Sequence, residues 1–385
     1  MRVVLTAAIA VAFALALSTA ARATTITVNS LADTGAPGIC VLRDAITAAN
    51  TMSATNGCAA GSGIDSIKFG VVGTISVASV LPAIVGNLAI LGPSTAPRIT
   101  ISGNGGPIMT VNAGARLTLR FLTLVQGRNA ISSSGTLTVA NSTFTNNVAT
   151  EGCVLIFCGG NAKGGAIRSS GTAIISNSTF QGNTAKICDD GLCAGGEGGA
   201  IFNSGTLSVT NSTFNNNSTF SGGIRFGEGG AIFNSGATAA LITNSTFSGN
   251  TAVDGAAVFG PSKIKGSILA ASTGGGGNCS IHISPPTDEG YNISNDNTCG
   301  FDRTGSADNG DNVNPLLSSA GLANNGGPTQ TIALRADSPA INAIPIADCT
   351  DQSSPPKRIA TDQRGFPRPD AGEAKCDIGA YESTF

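Results

Sequence analysis

The chain has 385 residues, 52 of them Gly, with 11% charged residues, a net charge of −2, no Trp and two Tyr. Its 41% hydrophobic content excludes a chain disordered for want of apolar surface, and the absence of clustered Lys and Arg excludes a nucleic-acid surface. Such low charge leaves a membrane protein or a fold rich in Asn, Ser and Thr, and no apolar run beyond the first 25 residues is long enough for a bilayer.

Those first residues combine Arg2, an apolar core from Val3 to Leu17, and small residues at Ala21 and Ala23. This pattern predicts a secretory signal peptide over 1–23, cleaved after Ala23. A membrane anchor is the competing reading, disfavoured by the short apolar core. The mature chain is therefore expected to be secreted or held at the cell surface, with no membrane span. In 24–70, CVLRDAITAAN puts Val41, Leu42, Ala45, Ile46 and Ala49 on one side of a short helix. That helix would lid the first coil of a stack of strands, which begins with SIKF, TISV, LAIL and RITIS.

A repeat dominates the expected body over 71–300. NSTF occurs at Asn141, Asn177, Asn211 and Asn244, and each copy continues as F-x-x-N to Asn147, Asn183, Asn217 and Asn250. GGAI occurs at Gly164, Gly198 and Gly229, preceding NSTF by 13, 13 and 15 residues. Before NSTF, apolar positions such as Leu137 and Val139 alternate with polar ones at the period of a strand. Short strands, repeated with Gly and Asn at corners, predict an all-β right-handed parallel β-helix, each coil stacking on the last at about 4.8 Å. A β-sandwich or barrel is the alternative for many short strands, but it gives no reason for the repeat. Stacking would make an amide ladder of corner residues such as Asn203 and Asn234, and an internal stack of Phe214 and Phe247.

The ten cysteines fall as sequence neighbours: Cys40 with Cys58, Cys153 with Cys158, Cys188 with Cys193, Cys279 with Cys299, and Cys349 with Cys376. Local disulfides suit an oxidising compartment, although spacing alone leaves connectivity open. Zinc is disfavoured, because His282 is the single His and no C-x-x-C occurs. After about Ala271 the repeats fade into Gly-, Pro- and Asp-rich sequence, read over 301–385 as an irregular closing module.

CVLRDAITAAN with GIDSIKF resembles the CSLREA domain that opens many bacterial secreted proteins, with Val41 and Asp44 where that domain has Ser and Glu. The GGAI and F-x-x-N repeats look like those of the polymorphic outer-membrane protein family, whose passengers are right-handed β-helices. NPLL at Asn314, NNGGPTQT at Asn324, DSPAIN at Asp337, TDQRGFPRP at Thr361 and CDIGAYE at Cys376 are similar to the choice-of-anchor Q domain. The resemblance implies location and architecture rather than chemistry. With no sorting sequence or barrel after CDIGAYE, release or non-covalent retention is expected.

Candidate sites are sparse. A lyase or hydrolase on such a scaffold needs converging carboxylates, and some lyases hold Ca²⁺ with them. Asp189 and Asp190, in the Cys188–Cys193 loop, are the local candidates, with Asp254 and Glu197 as candidate neighbours. A solvated acidic loop is the preferred reading, so no cofactor is expected, Ca²⁺ remaining an alternative. Glu197 and Glu228 occupy equivalent repeat positions below Lys163, as an acidic binding strip or a charge ladder. Arg168 stands where later copies have Phe202 and Phe233, which predicts an outward-facing apolar patch. His282 lacks a triad partner. These features favour a structural or adhesive protein, its partner a cell-surface or matrix glycan or protein. Alternatives are a polysaccharide lyase or hydrolase, and a spacer displaying its disulfide loops.

Overall fold

The computed structural model describes residues 23–150, 153–154, 157–158, 161–186, 195–220, 227–270, 275–280, 282–283, 285–302 and 309–384. Residues 1–22 of the expected leader, Cys188, Cys193, Asp189 and Asp190 lie outside them. Among the described residues, three long parallel sheets of ten, nine and six strands wind around one core. The chain is a parallel β-helix.

One coil shows how the repeat builds it. Thr206–Thr210 lies in the ten-stranded sheet, Thr213–Asn215 in the nine-stranded sheet, and Ile232–Asn234, reached after a loop, in the six-stranded sheet. Strand alternation sends Leu137, Ala173 and Leu207 inward in one column and Val139, Ile175, Val209 and Ile242 in the next. The two extra residues in the last copy leave that inward face unchanged, because the side-chain period of a strand is two.

Each letter of NSTF has a separate physical task. The Asn turns the corner: Asn141, Asn177, Asn211 and Asn244 all take left-handed backbone, with φ between 45° and 51°, a conformation Asn tolerates better than most residues. The Ser hydroxyls form a ladder. Ser142 N–H donates to Ser178 Oγ, Ser178 N–H to Ser212 Oγ and Ser212 N–H to Ser245 Oγ, each at 3.3 Å. The Thr points outward, and the Phe points in. Phe144, Phe180, Phe214 and Phe247 are wholly buried and stack with centroids 4.8–4.9 Å apart.

The trailing Asn closes the turn. Asn183 Oδ1 accepts from the N–H and Nδ2 of Asn147, and Asn217 Oδ1 accepts likewise from Asn183. Every one of these amides is fully buried and paired, where an unmade bond costs about 1–3 kcal/mol. Asn203 Nδ2 also donates to Asn234 Oδ1 at 2.7 Å, the second amide ladder expected from the sequence. At the opposite corner, Gly198 and Gly229 have φ of 69° and 66°. A Cβ on Gly199 would sit 2.2 Å from the Gly230 carbonyl oxygen, so the rungs close only with Gly there.

At the N-terminal end, helix α1 (Leu42–Thr51) buries Leu42, Ala45, Ile46, Ala48 and Ala49 against the first strands. A strand at Thr24–Val28, before the helix, pairs with Ile64–Phe69 as the first rung. Disulfides join Cys40–Cys58, Cys279–Cys299 and Cys349–Cys376. The backbones of Cys153 and Cys158 face each other across a short antiparallel ladder; their side chains lie outside the described residues. No helix among the described residues is long and apolar enough to cross a membrane.

The C-terminal module does more than close the end, which corrects the expectation from sequence. It folds back along the outer face of the nine-stranded sheet. Thr179, Thr213 and Thr246, outward Thr of NSTF, are buried beneath it. Thr179 Oγ1 donates to the Gln330 carbonyl at 2.6 Å, Thr213 Oγ1 to Gln363 Oε1 at 2.7 Å, and Ala380 N–H to Thr246 Oγ1 at 3.0 Å. On the next two rungs the outward Thr gives way to Ile268 and Ile293, which form a second core with Leu334, Ile344 and Ile378.

Candidate functional site

The corner before the six-stranded sheet carries most of the polar chemistry outside the module. Lys163 pairs in register with Glu197, Glu197 with Glu228, and Glu228 with Asp254. The expected vertical row of Lys163, Glu197 and Glu228 is thus present, and it has a fourth member. DGAAVF at Asp254–Phe259 is a looser copy of EGGAIF, and aligning the two would have placed Asp254 in the row from sequence.

The row is electrostatically graded. Lys163 Nζ lies 3.4 Å from Glu197 Oε2, and Asn161 Nδ2 donates to the other oxygen of that carboxylate. Asp254, 1% exposed, accepts a 2.8 Å bond from Ser280 Oγ. Glu228 lies between them. Burial raises its pKa above the ordinary carboxylate value, and the charges of Glu197 and Asp254 raise it further, against a smaller opposing effect of His282. His282 itself is exposed.

The outward column of the six-stranded sheet runs beside this row. Ser132, Arg168, Phe202, Phe233 and Phe259 occupy successive rungs. Phe202 and Phe233 face outward as expected, but they form no exposed patch: they are 5% and 8% exposed. Their rings stack on one another at 5.5 Å, Phe233 stacks on Phe259 at 4.8 Å, and Lys163 Nζ sits 4.5 Å above the Phe202 ring. Mutual stacking and a cation over the π-face cover what sequence alone left to solvent.

Where the column changes from Phe to Arg168, the surface opens into a groove of about 370 Å³. Lys163 and Arg168 supply cations, and Ser132, Ser134, Ser170 and Ser204 supply hydroxyls. Ser170 and Ser134 hydroxyls are themselves 3.3 Å apart, one rung above the other. Cations beside a ladder of hydroxyls suit a ligand that carries both negative charge and alcohol groups. The groove was missed in the sequence because its serines come from successive repeats, Ser134, Ser170 and Ser204 at one corner and Ser132 on the strand beside it, which only the coil brings together.

No protein-family model matches the chain, and no curated protein is found similar to it.

Proposed function

We propose that the chain is a secreted or cell-surface β-helix protein that adheres, without catalysis, to an acidic glycan of a cell surface or extracellular matrix. The observation that carries this reading is the groove, with Lys163 and Arg168 set beside stacked hydroxyls along the coil axis. Ser134, Ser170, Ser204 and Ser235 repeat a hydroxyl in a line on rungs about 4.8 Å apart, which suits a repeating polymer better than a small compact ligand. Three disulfides support an oxidising, extracytoplasmic setting.

A glycan and matrix-protein binding array tests it. Wild type should bind sulfated or uronate-bearing glycans, with binding weakened at least tenfold in Lys163→Ala/Arg168→Ala and by rising salt. Binding confined to matrix proteins, and indifferent to those two substitutions, overturns it in favour of display by loops.

A hydrolase is the second reading, favoured by Glu228. Its raised pKa suits a general acid, and Asp254 lies in register one rung away, as a pair of glycosidase carboxyls would require. Against it, Glu197 is occupied by Lys163 and Asn161, and Asp254 is closed to solvent. Release of reducing ends by wild type, abolished in Glu228→Gln, would establish the hydrolase.

A further inference from the structure

Three stretches of the C-terminal module meet at one small spot: Asn342 of DSPAIN, Glu373, and Asp377 with Glu382 of CDIGAYE. Carboxylate oxygens of Glu373, Asp377 and Glu382 lie within 4.8 Å of one another, among the described residues the one acidic trio so arranged. Asp377 is 0% and Glu382 1% exposed, while Glu373 sits half-buried at the rim.

Hydrogen bonds hold these groups from outside. Asp377 Oδ1 accepts from Asn342 N–H at 2.7 Å, and its Oδ2 accepts from Ser383 N–H and Oγ, both at 2.6 Å. Glu382 Oε2 accepts from Arg368 Nε at 2.8 Å and Asp377 N–H at 3.1 Å. Glu373 Oε1 accepts from Asn342 Nδ2 at 2.8 Å. Three buried oxygens are left with no donor: Glu382 Oε1, Glu373 Oε2 and Asn342 Oδ1. With the carboxylates ionised all three are acceptors and cannot satisfy one another. Burial raises the pKa of Glu382 to about 7 and raises those of Asp377 and Glu373 as well, so a shared proton competes with an ion here. Charge does not close either. Three carboxylates face the single guanidinium of Arg368, and Asp370 nearby adds a further negative charge.

We propose that this spot is a divalent-cation site of the calcium type, ligated by Glu373, Asp377 and Glu382, with Asn342 Oδ1 as a neutral ligand. An all-oxygen, acid-rich set is the chemistry of a hard cation. Two ligands of one Ca²⁺, each at about 2.3–2.6 Å, stand at most about 5 Å apart, whereas Mg²⁺ at about 2.0–2.1 Å demands about 4 Å. Oxygens within 4.8 Å of one another are close enough to share one such ion. The ion would offset two of the trio's charges and tie the Glu373 rim to CDIGAYE beside the Cys349–Cys376 disulfide. The competing arrangement involves Arg368, whose buried Nη2 also lacks a partner. Turned slightly, it would take both oxygens of Glu382 and leave no place for an ion.

The full chain, stripped with EGTA, is titrated with CaCl₂ by calorimetry while thermal unfolding is followed by circular dichroism. The expected result is one calcium per chain, a raised unfolding midpoint, and Mg²⁺ binding at least tenfold weaker. Because Glu382 is fully buried, the rim variant Glu373→Gln is the decisive one. It should keep the wild-type spectrum and bind calcium at least fivefold more weakly, while Glu228→Gln binds as wild type. Three results overturn the proposal: no heat and no midpoint shift at millimolar calcium, a smaller loss in Glu373→Gln, or loss in Glu228→Gln. The first assigns the spot to Arg368 or to a shared proton, and the last moves the ion to the corner row.

Discussion

Replacing Asn217 with Ala strikes the internal amide ladder at its middle. Asn217 is wholly buried and its carboxamide makes four hydrogen bonds. Its Oδ1 accepts from Asn183 N–H at 3.0 Å and Asn183 Nδ2 at 2.8 Å, and its Nδ2 donates to the Phe180 carbonyl and to Asn250 Oδ1, both at 3.0 Å. At about 1 kcal/mol net for each neutral bond, the loss is about 4 kcal/mol. Asn183 Nδ2 keeps the Phe144 carbonyl at 3.1 Å, so the group most exposed to a desolvation penalty is the Asn183 N–H. Water entering the gap would recover part of that penalty, which holds the expected cost near about 4 kcal/mol. The neighbour Asn216 is the control. It is exposed at φ 53°, and Ala there loses only its tolerance of left-handed backbone, about 1–2 kcal/mol. Because a solenoid opens locally, urea denaturation should be paired with hydrogen exchange of amides on the adjoining rungs. Asn217→Ala should accelerate exchange at Asn183 and Phe214 far more than Asn216→Ala does. Equal effects, within about 1 kcal/mol (about fivefold in exchange), would refute the claim that the ladder holds the coils together.

Three further outcomes are expected. Gln363, wholly buried, bridges Thr179, Thr213 and Thr329, so Gln363→Ala should cost about 2–4 kcal/mol; limited proteolysis should then cut within 309–384 while the coil spectrum is unchanged. Tyr291 donates to Asp348 Oδ2 at 2.8 Å, and burial, followed by that bond, pushes its pKa up to about 12. A raised folded value means its stabilisation is complete below the ordinary tyrosine value near 10 and is lost as pH rises through about 12; absorbance at 295 nm should show this late titration, and Asp348→Asn should bring it down. Burial, then Glu197 and Asp254, raise Glu228, so its contribution to stability is full at acid pH and falls as pH rises through its folded value. Carbon-13 NMR should show Glu197→Gln moving that titration to lower pH.

The coil was legible because its signals are local and repeated. Val139, Phe144 and Asn147 each recur at a fixed place in the period, so their inward stacking follows from the sequence once strands are recognised. Asn203 and Asn234 followed the same logic. What escaped was everything that depends on what lies against the coil's outside. The Thr of NSTF reads as an ordinary outward strand residue, and nothing local says that Thr179, Thr213 and Thr246 dock a module 134 to 151 residues later. Phe202 and Phe233 were correctly assigned to the outer face, but their cover comes from Lys163 and from ring stacking across rungs. Asp254 was named as a candidate beside Glu197, but its place in the row escaped because its copy of the repeat has lost two of the defining letters. In the module, Arg368 and Glu382 meet across loops with no periodicity, so their buried pair at 2.8 Å had no sequence signature.

Adhesion through the groove is decided most directly by where a ligand touches the coil. Hydrogen–deuterium exchange, with and without the tightest-binding acidic glycan from the array, measures that. The prediction is protection concentrated at Ser132–Ser134 and Arg168–Ser170, across neighbouring rungs, with the glycan recovered intact. Protection absent from those rungs, or recovery of shortened glycan, would contradict it.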